Sequence, residues 1–353
     1  MLKSQPIGLG YVTSGLRVLA SRRKRAALFM ALALPACAVA TEAGQAADET
    51  ATASSALAPT IRFTAANAGG TVAFSPDGTR LATGSGGQEQ AKILATSNGA
   101  VAQTLVVEGS PDAASYSVDG TFLAIGSAGF NQNLRLFRVA TGQLVFQKSA
   151  HNNGTTAVRF SPTNPNLFAS AGRDRTTKNW STDGTLIRTM NDGIRVLGMA
   201  FSPNGLTVAS NASGRVHIWR VSDGALLRTI TATNQSAVAY SPDGTILSTG
   251  TQLFNAATGA LIRNLAWPSG TVTSTIFTKD GRAVVAAGED FPNNVDVATI
   301  RYFRVSDGAI LTTFNQIGGA NAYVQSVAIS PDGASLAYAV ATDKVTVLAA
   351  SPF

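Results

Sequence analysis

The chain has few of the residues that build metal and redox sites. Its 353 residues include one cysteine and two histidines. A single cysteine excludes an internal disulfide framework, and it excludes zinc or iron–sulfur sites that need several cysteine ligands. Two histidines likewise exclude a histidine-rich metal site. We therefore expect no metal and no other cofactor.

Charged residues are also scarce, at 13% of the chain, against about 25% in an average soluble protein. The formal net charge is nevertheless +7, which by itself favours a nucleic acid or an anionic membrane surface as a partner. Six basic residues lie in the first 46 positions with a single acid, Glu42, so the remainder carries a net charge of +2. Nucleic-acid binding is therefore not expected.

The N-terminal basic residues precede an apolar segment. The four cations Arg22–Arg25 are followed by residues 26–40, and this order is typical of an export signal. About 15 apolar residues are too few to cross a hydrocarbon core of about 30 Å comfortably. We predict an export signal over 1–40, a flexible Ala/Thr/Ser-rich linker over 41–59 and a folded domain over 60–353.

The processing of this signal has two alternatives. Ala38-Val39-Ala40 has the small residues of a cleavage site, whereas Leu34-Pro35-Ala36-Cys37 resembles a lipoprotein box in which Cys37 would be lipidated. Ser21-Arg22-Arg23 also resembles a twin-arginine signal, so the export route stays open. We expect a periplasmic, outer-membrane lipoprotein or extracellular location, with the membrane contacted only through Cys37. Mass spectrometry of the mature N-terminus distinguishes the two forms.

One sequence motif recurs along the domain: an apolar strand, then Ser-Pro-Asp-Gly or a related turn, then a second apolar strand. Proline presets the first central turn position, and Asp and Gly tolerate the next two, so each copy predicts a hairpin. A second turn ending in glycine follows in six units. Each period then holds four short strands, which is the content of one propeller blade. The seven copies begin at residues 75, 117, 161, 202, 241, 278 and 330.

This repeat resembles that of the WD-repeat β-propellers over about residues 60–350. In the third unit His151, Ser170, Asp174 and Trp180 stand where the family places a structural hydrogen-bonded tetrad. The resemblance implies an all-β, seven-bladed propeller of four-stranded antiparallel blades, as in divergent bacterial WD-like proteins. The aspartate that follows the tryptophan in the family is Ser181 here, and propellers of the periplasmic TolB type are a related alternative.

The two ends of the domain explain how the ring closes. The last unit is one strand short, and residues 60–64 form one strand too many before the first Ser-Pro-Asp-Gly turn. We predict that this N-terminal strand completes the last blade and removes its free edge.

Candidate catalytic groups are few. His151 is assigned to the tetrad, His217 lies in a predicted strand where it is expected to pack, and Cys37 lies in the leader. We expect no catalytic residue and a non-enzymatic protein. The alternatives are an exported propeller enzyme of the lactonase or hydrolase type, with histidines and carboxylates at the channel mouth, and a structural or adhesive surface protein.

The resemblance places the loops before the first strand and between the second and third strands of each blade on one face. Loops tolerate variation and carry function, and exposed Arg and aromatic side chains dominate interface energies. We expect a monomer that binds protein partners through this face, as an interaction platform. The candidate residues are Phe130, Arg173, Arg175, Arg195, Trp267, Glu289, Asp290 and Phe291.

Two further features have less specific sequence signals. Residues 289–296 form an inserted loop in the sixth unit, and its acids and asparagines could ligate Ca²⁺. The segment lacks the spacing of a known calcium loop, so a solvated contact loop is the favoured interpretation. Arg188, Arg228 and Arg263 recur at one position of the outer strand, where they predict a basic stripe or a solvated rim.

Overall fold

The computed structural model describes residues 60–349 except 86–88, 130, 132, 234–235, 292–295, 316–321 and 343. The predicted leader and linker, with Cys37, and the candidate residue Phe130 lie outside these residues. The described part of the chain holds 28 β-strands in seven four-stranded antiparallel sheets. No helix in that part is long and apolar enough to pass through a membrane.

Each sheet is one blade, and its strands run in order from the central channel outwards. The innermost strands are β2 (Gly69–Phe74), β6 (Pro111–Tyr116), β10 (Thr155–Phe160), β14 (Gly198–Phe201), β18 (Ala239–Tyr240), β22 (Val272–Phe277) and β26 (Val324–Ile329). The second strands are β3 (Arg80–Ser85), β7 (Phe122–Ser127), β11 (Leu167–Gly172), β15 (Thr207–Ala212), β19 (Ile246–Ser248), β23 (Ala283–Asp290) and β27 (Ser335–Val340).

The outer half of each blade follows the same order. The third strands are β4 (Gln90–Ala95), β8 (Leu134–Arg138), β12 (Thr176–Ser181), β16 (Arg215–Arg220), β20 (Gln252–Asn255), β24 (Val297–Arg304) and β28 (Lys344–Ala349). The outermost strands are β5 (Val101–Val106), β9 (Gln143–Lys148), β13 (Leu186–Asn191), β17 (Leu226–Thr231), β21 (Leu261–Asn264), β25 (Ile310–Phe314) and β1 (Thr60–Ala66). Blades 1 to 7 begin at β2, β6, β10, β14, β18, β22 and β26.

The recurring turn is held by its own side chains. In blade 1 the Ser75 hydroxyl donates to Asp77 Oδ1 over 2.5 Å and accepts from the Arg80 amide over 3.0 Å, while Asp77 also accepts from the Thr79 amide. Gly78 has a φ of 70°, a value that glycine adopts without steric cost. The hydrogen bond from Ser75 lowers the pKa of Asp77. These turns define the lower face of the ring.

The hydrophobic core lies between neighbouring blades. Ile93 and Leu105 of blade 1 pack in one cluster with Leu123, Ile125 and Phe137 of blade 2. Each such buried side chain contributes about 1.5–3 kcal/mol relative to an exposed position. Since every blade buries one face against the next, the ring is stabilised as a unit rather than blade by blade.

The predicted closure is confirmed. β1 pairs antiparallel with β28, from Thr60 opposite Ala349 to Ala66 opposite Lys344. The seventh sheet therefore combines the first strand of the domain with its last three. Phe63 and Ala65 pack against a cluster that includes Val345 and Val347, so β1 contributes side-chain packing as well as hydrogen bonds.

Blades 5 and 6 depart from the common length. The strands of blade 5 have only two to four residues, whereas β23 and β24 have eight each. Glu289 and Asp290, expected in an inserted loop, instead lie in β23 opposite Ala298 and Val297. That expectation was wrong because ladder pairing continues into the insertion and lengthens the hairpin.

Candidate functional site

The upper face of the ring carries the turns between second and third strands and the loops that lead into the next innermost strand. Arg173, Arg175 and Arg195 are exposed on this face, as is Phe291. Arg173 and Arg175 lie in the β11–β12 turn, and Arg195 lies in the loop before β14. The structure therefore brings the blade 3 and blade 4 arginines together at the upper face.

The other candidate residues lie at the turn end of the blade 6 hairpin or, like Trp267, beside it. Asp290 is only 6% exposed. It pairs with Arg301 at 2.6 Å and accepts from the Ser269 hydroxyl over 2.6 Å. Asp290 therefore anchors the hairpin and is not an accessible contact residue, which corrects its assignment to the binding face.

Trp267 and Glu289 are half-buried. Trp267 donates its indole N–H to the Glu289 carbonyl over 3.1 Å, and the Arg301 guanidinium lies 4.8 Å from its ring centroid. This packing fixes the indole at the edge of the face. Among the described residues no group of three or more His, Cys, Asp or Glu side chains could hold a metal ion.

A groove lies on the upper face above the short strands of blade 5. Arg195 and Leu197 form one wall and Trp267 forms the other, with Thr233 and Thr251 between them. It encloses about 920 Å³, part of which is open to solvent. The groove exists because the strands of blade 5 are short at their upper ends, so that blades 4 and 6 extend further on both sides of blade 5.

The tetrad residues of blade 3 are joined by hydrogen bonds. Trp180 Nε1 donates to Ser170 Oγ over 2.8 Å, Ser170 Oγ lies 2.7 Å from His151 Nε2, and His151 Nδ1 lies 2.8 Å from Asp174 Oδ1. His151 comes from the loop before β10, Asp174 from the β11–β12 turn, and the other two from β11 and β12. The network ties the upper-face loop and turn to the blade.

The hydrogen bonds of this tetrad suit a neutral imidazole. Trp180 donates to Ser170, which leaves the serine hydroxyl able to donate to His151 Nε2, while His151 Nδ1–H donates to Asp174. Burial lowers the pKa of His151, although Asp174 opposes this effect. Burial alone would raise the pKa of Asp174, but hydrogen bonds from His151 and Thr176 outweigh burial and lower it.

Acidification is expected to destabilise the domain through this tetrad. The unfolded chain protonates His151 near pH 6.5, whereas the folded state resists protonation, so stability falls as pH drops below that value. Urea denaturation at pH values of about 7.5, 6.5 and 5.5 should show a steeper loss for the wild type than for His151→Gln. Parallel profiles for the two proteins would refute the assignment.

Blade 4 has an equivalent junction, meaning a hydrogen-bonded network that ties an upper-face loop to its blade, but it is made of different residues. Asp192, from the loop before β14, accepts from Ser210 over 2.5 Å and from Trp219 Nε1 over 3.2 Å. It also lies 3.2 Å from His217 Nδ1 and accepts from Thr177 over 2.8 Å. The expectation that His217 packs in its strand is confirmed by its buried ring and its contact with Trp219, but it was incomplete, because the ring also binds the buried Asp192 carboxylate.

The comparisons with known proteins agree with this geometry. The model of the WD domain, G-beta repeat, matches residues 142–181 and 184–220, which contain both tryptophan networks. The protein is a WD-repeat β-propeller. WD-repeat propellers are typically non-enzymatic scaffolds that bind proteins.

Two Arabidopsis thaliana proteins are similar to this WD-repeat chain at 25% identity. They are Autophagy-related protein 16, with 41% of this chain and 39% of the relative covered, and Pre-mRNA-processing factor 19 homolog 2, with 50% and 36% covered. The chain thus spans less than two fifths of each relative's length in these matches.

The WD repeats here share a polar position that sequence reasoning missed. In blades 2, 3, 4 and 6, a basic side chain stands two residues before the strand c (third-strand) aromatic and binds the preceding upper-face loop or the hairpin beside it, whereas blade 5 has Gln252 at this position. Arg135 pairs with Glu108 at 3.2 Å, Lys178 lies 3.6 Å from Asp174, and Arg301 binds Asp290. His217 occupies this position in blade 4. The sequence does contain this pattern, since a basic residue stands two positions before each of Phe137, Trp180, Trp219 and Phe303.

The outer-strand arginines connect neighbouring blades of this WD-repeat ring. Arg188 donates to the Ser222 carbonyl over 2.9 Å and Arg263 to the Ser306 carbonyl over 2.5 Å. Arg228 makes the equivalent contact with Ala256 at 3.4 Å. The expectation of a free basic stripe or solvated rim was therefore incomplete, since these guanidinium groups bridge successive blades.

The central channel of the propeller has a volume of about 520 Å³, including space open to solvent, and is lined mainly by small and hydroxyl-bearing residues. Arg159 projects into it and stays exposed to the channel. Asp112 also lines the channel; burial raises its pKa, while Ser110 and Arg173 oppose that effect. Neither His151 nor His217, the two histidines of the chain, lines the channel.

Proposed function

We propose that this WD-repeat propeller is an exported, non-enzymatic platform that binds protein partners through its upper face. The observation that carries the proposal is the exposure of Arg173, Arg175, Arg195 and Phe291 on this face, where Arg195 and Trp267 also line a groove. Arginine and large aromatic residues are the types that supply most binding energy at protein interfaces. The family's typical role as a protein-binding scaffold supports the same conclusion.

The export part of the proposal rests on the sequence. The cations Arg22–Arg25 precede the apolar residues 26–40, followed by the small and polar residues 41–59. This order is typical of an export signal with a spacer behind it. The partners would then be periplasmic, outer-membrane or extracellular proteins, and a lipidated Cys37 would hold a monomeric propeller beside a membrane.

The non-enzymatic part is supported by where the titratable groups lie. His151 and His217 are held inside blades by Asp174 and Asp192. Most other aspartates accept backbone hydrogen bonds within turns, as Asp77 does. These groups already have structural partners, so the propeller offers its exposed loops rather than a reactive cluster.

Partner capture tests the proposal. The tagged full chain, expressed in the cells that make it, is expected to lose its specific partners when Arg175, Trp267 and Phe291 are changed together to alanine. Because Trp267 is half-buried, the double variant Arg175→Ala/Phe291→Ala is measured in parallel, and it should weaken recovery about tenfold.

The matched control changes Leu206, Lys279 and Arg282 to alanine. These residues are exposed in turns of the lower face, so partner recovery should not change. Thermal melting of each variant checks that the ring stays folded. Full recovery by both upper-face variants, or loss in the lower-face control alone, would overturn the face assignment.

A further inference from the structure

Four arginines form a contiguous cluster on the upper face of blades 3 and 4. Arg173, Arg175 and Arg195 are joined by Arg215, which begins β16 and is also exposed. We call these four residues the arginine cluster. Arg215 was not identified from the sequence, because a basic residue at the start of a strand has no distinguishing pattern.

Backbone hydrogen bonds fix the segments that carry the arginine cluster beside one another. The Asp192 amide donates to the Arg175 carbonyl over 2.9 Å, and the Val196 amide donates to the Gly172 carbonyl over 3.3 Å. The Ser213 hydroxyl donates to the Arg195 carbonyl over 3.5 Å. The β11–β12 turn, the 192–197 loop and the β15–β16 turn therefore form one surface.

The acids nearest to the cluster in sequence are already engaged elsewhere. Asp174 binds His151 and lies 3.6 Å from Lys178. Asp192 is 4% exposed and binds within the blade. In the described part of the chain, none of the four arginines takes part in an ion pair, although Arg173 acts electrostatically on Asp112 at the channel. The guanidinium groups, those of Arg175, Arg195 and Arg215 above all, are therefore available to carboxylates from outside.

The arginine cluster continues into the groove above blade 5. Arg195 belongs to both the arginine cluster and the groove. The other described residues that line the groove, among them Leu197 and Trp267, carry no charge. An extended segment that binds the arginines can therefore continue across threonine hydroxyls to the indole. Guanidinium groups bind carboxylates through paired parallel hydrogen bonds, which favours a peptide carboxylate as the ligand group.

The rest of the upper face limits the size of an anionic partner. Glu89 is exposed on blade 1, and Glu289 and Asp296 lie half-buried at the blade 6 hairpin, whereas Glu108 on blade 2 is paired with Arg135. A long polyanion such as a nucleic acid would meet these like charges on leaving the cluster. A short acidic segment would not.

We propose that the arginine cluster and the adjoining groove bind a short acidic segment of a protein partner, with carboxylates on the arginines and an apolar side chain against Trp267. This inference rests on the proposed function and specifies the chemistry of the partner. It assigns recognition to blades 3 to 5, so variants there should affect binding more than equal charge changes elsewhere.

Fluorescence anisotropy with the purified protein, in the form that the cells produce from the full chain, tests this assignment. The probe is a fluorescein-labelled octapeptide of glutamates with a central leucine, and the comparison peptide has glutamine in place of glutamate. We expect the acidic peptide to bind, with affinity falling as salt rises from about 50 to about 300 mM. The double variant Arg195→Gln/Arg215→Gln should weaken binding at least about fivefold.

The matched control is Lys279→Gln/Arg282→Gln, which removes the same charge from the lower face and should bind like the wild type. Absence of wild-type binding up to about 1 mM peptide, or an equal loss in the control, overturns the inference. Tighter binding of single-stranded DNA or heparin than of the peptide also overturns it, in favour of a polyanion site.

The outcome separates this inference from the proposed function. If Arg195→Gln/Arg215→Gln loses a captured partner but the acidic peptide never binds, the upper face is the interaction face and the acidic-segment inference is wrong. If the variant retains the captured partner and upper-face substitutions have no effect, the proposed function itself is wrong.

Discussion

Replacing Asp192 by alanine is expected to lower the free energy of unfolding by about 3–5 kcal/mol. Its carboxylate accepts hydrogen bonds from Thr177, Ser210 and Trp219 and contacts His217. Removing it leaves the Thr177 and Ser210 hydroxyls without this acceptor, although Trp219 Nε1 keeps its 2.9 Å hydrogen bond to Ser210 Oγ, and it opens a cavity between blades 3 and 4. Chemical denaturation followed by tryptophan fluorescence measures the loss, since Trp219 reports directly on the site.

Two further variants show whether the cause is the buried network. Asp192→Asn keeps the side-chain size and one acceptor oxygen, so its loss of stability should be smaller than that of alanine. Asp183→Ala removes an exposed turn aspartate and should cost no more than about 1 kcal/mol. Equal costs for Asp183→Ala and Asp192→Ala would contradict the assignment of Asp192 as a junction residue.

Removing β1 is expected to have the second largest effect. Deletion of residues 60–66 would leave β28 as a free edge and remove six paired positions along its length. Each backbone hydrogen bond contributes about 1 kcal/mol net, and the packing of Phe63 is lost as well. We expect the melting temperature to fall by at least about 10 °C, with increased self-association through the exposed edge.

Point variants keep this prediction testable if the deleted protein does not fold. Phe63→Ala removes packing against the seventh blade and should lower the melting temperature by a smaller amount. Ile61→Ala is the control, because Ile61 is 59% exposed beside the register shift in β1. An unchanged melting temperature after deletion of residues 60–66 would show that β1 does not close the ring.

The blade count and the closure were predictable because they depend on local chemistry. The Ser-Pro-Asp-Gly turn of residues 75–78 makes its own hydrogen bonds within a few residues, so its sequence reports its structure. Seven such turns set seven hairpins, and one surplus strand at residues 60–66 must pair with the one incomplete blade. The third-unit tetrad could be identified because all four of its residue types are present together.

The details of the upper face depend on contacts between residues distant in the chain, which local patterns do not encode. Asp192 takes the junction position in blade 4 only because the 192–197 loop folds over β15 and β16. Asp290 is buried only because β23 extends and meets Arg301 across the hairpin. Arg215 joins the arginine cluster because two blades place their turns side by side, a proximity the sequence does not show.

Hydrogen–deuterium exchange of the protein with and without its captured partner tests the central claim most directly. We predict slower exchange on binding in peptides that cover residues 173–175, 192–197, 213–215 and 265–271 on the upper face. The lower-face turns, such as residues 203–206 and 279–282, should exchange at unchanged rates. Protection confined to those lower-face turns, with none in the upper-face loops, would contradict the account.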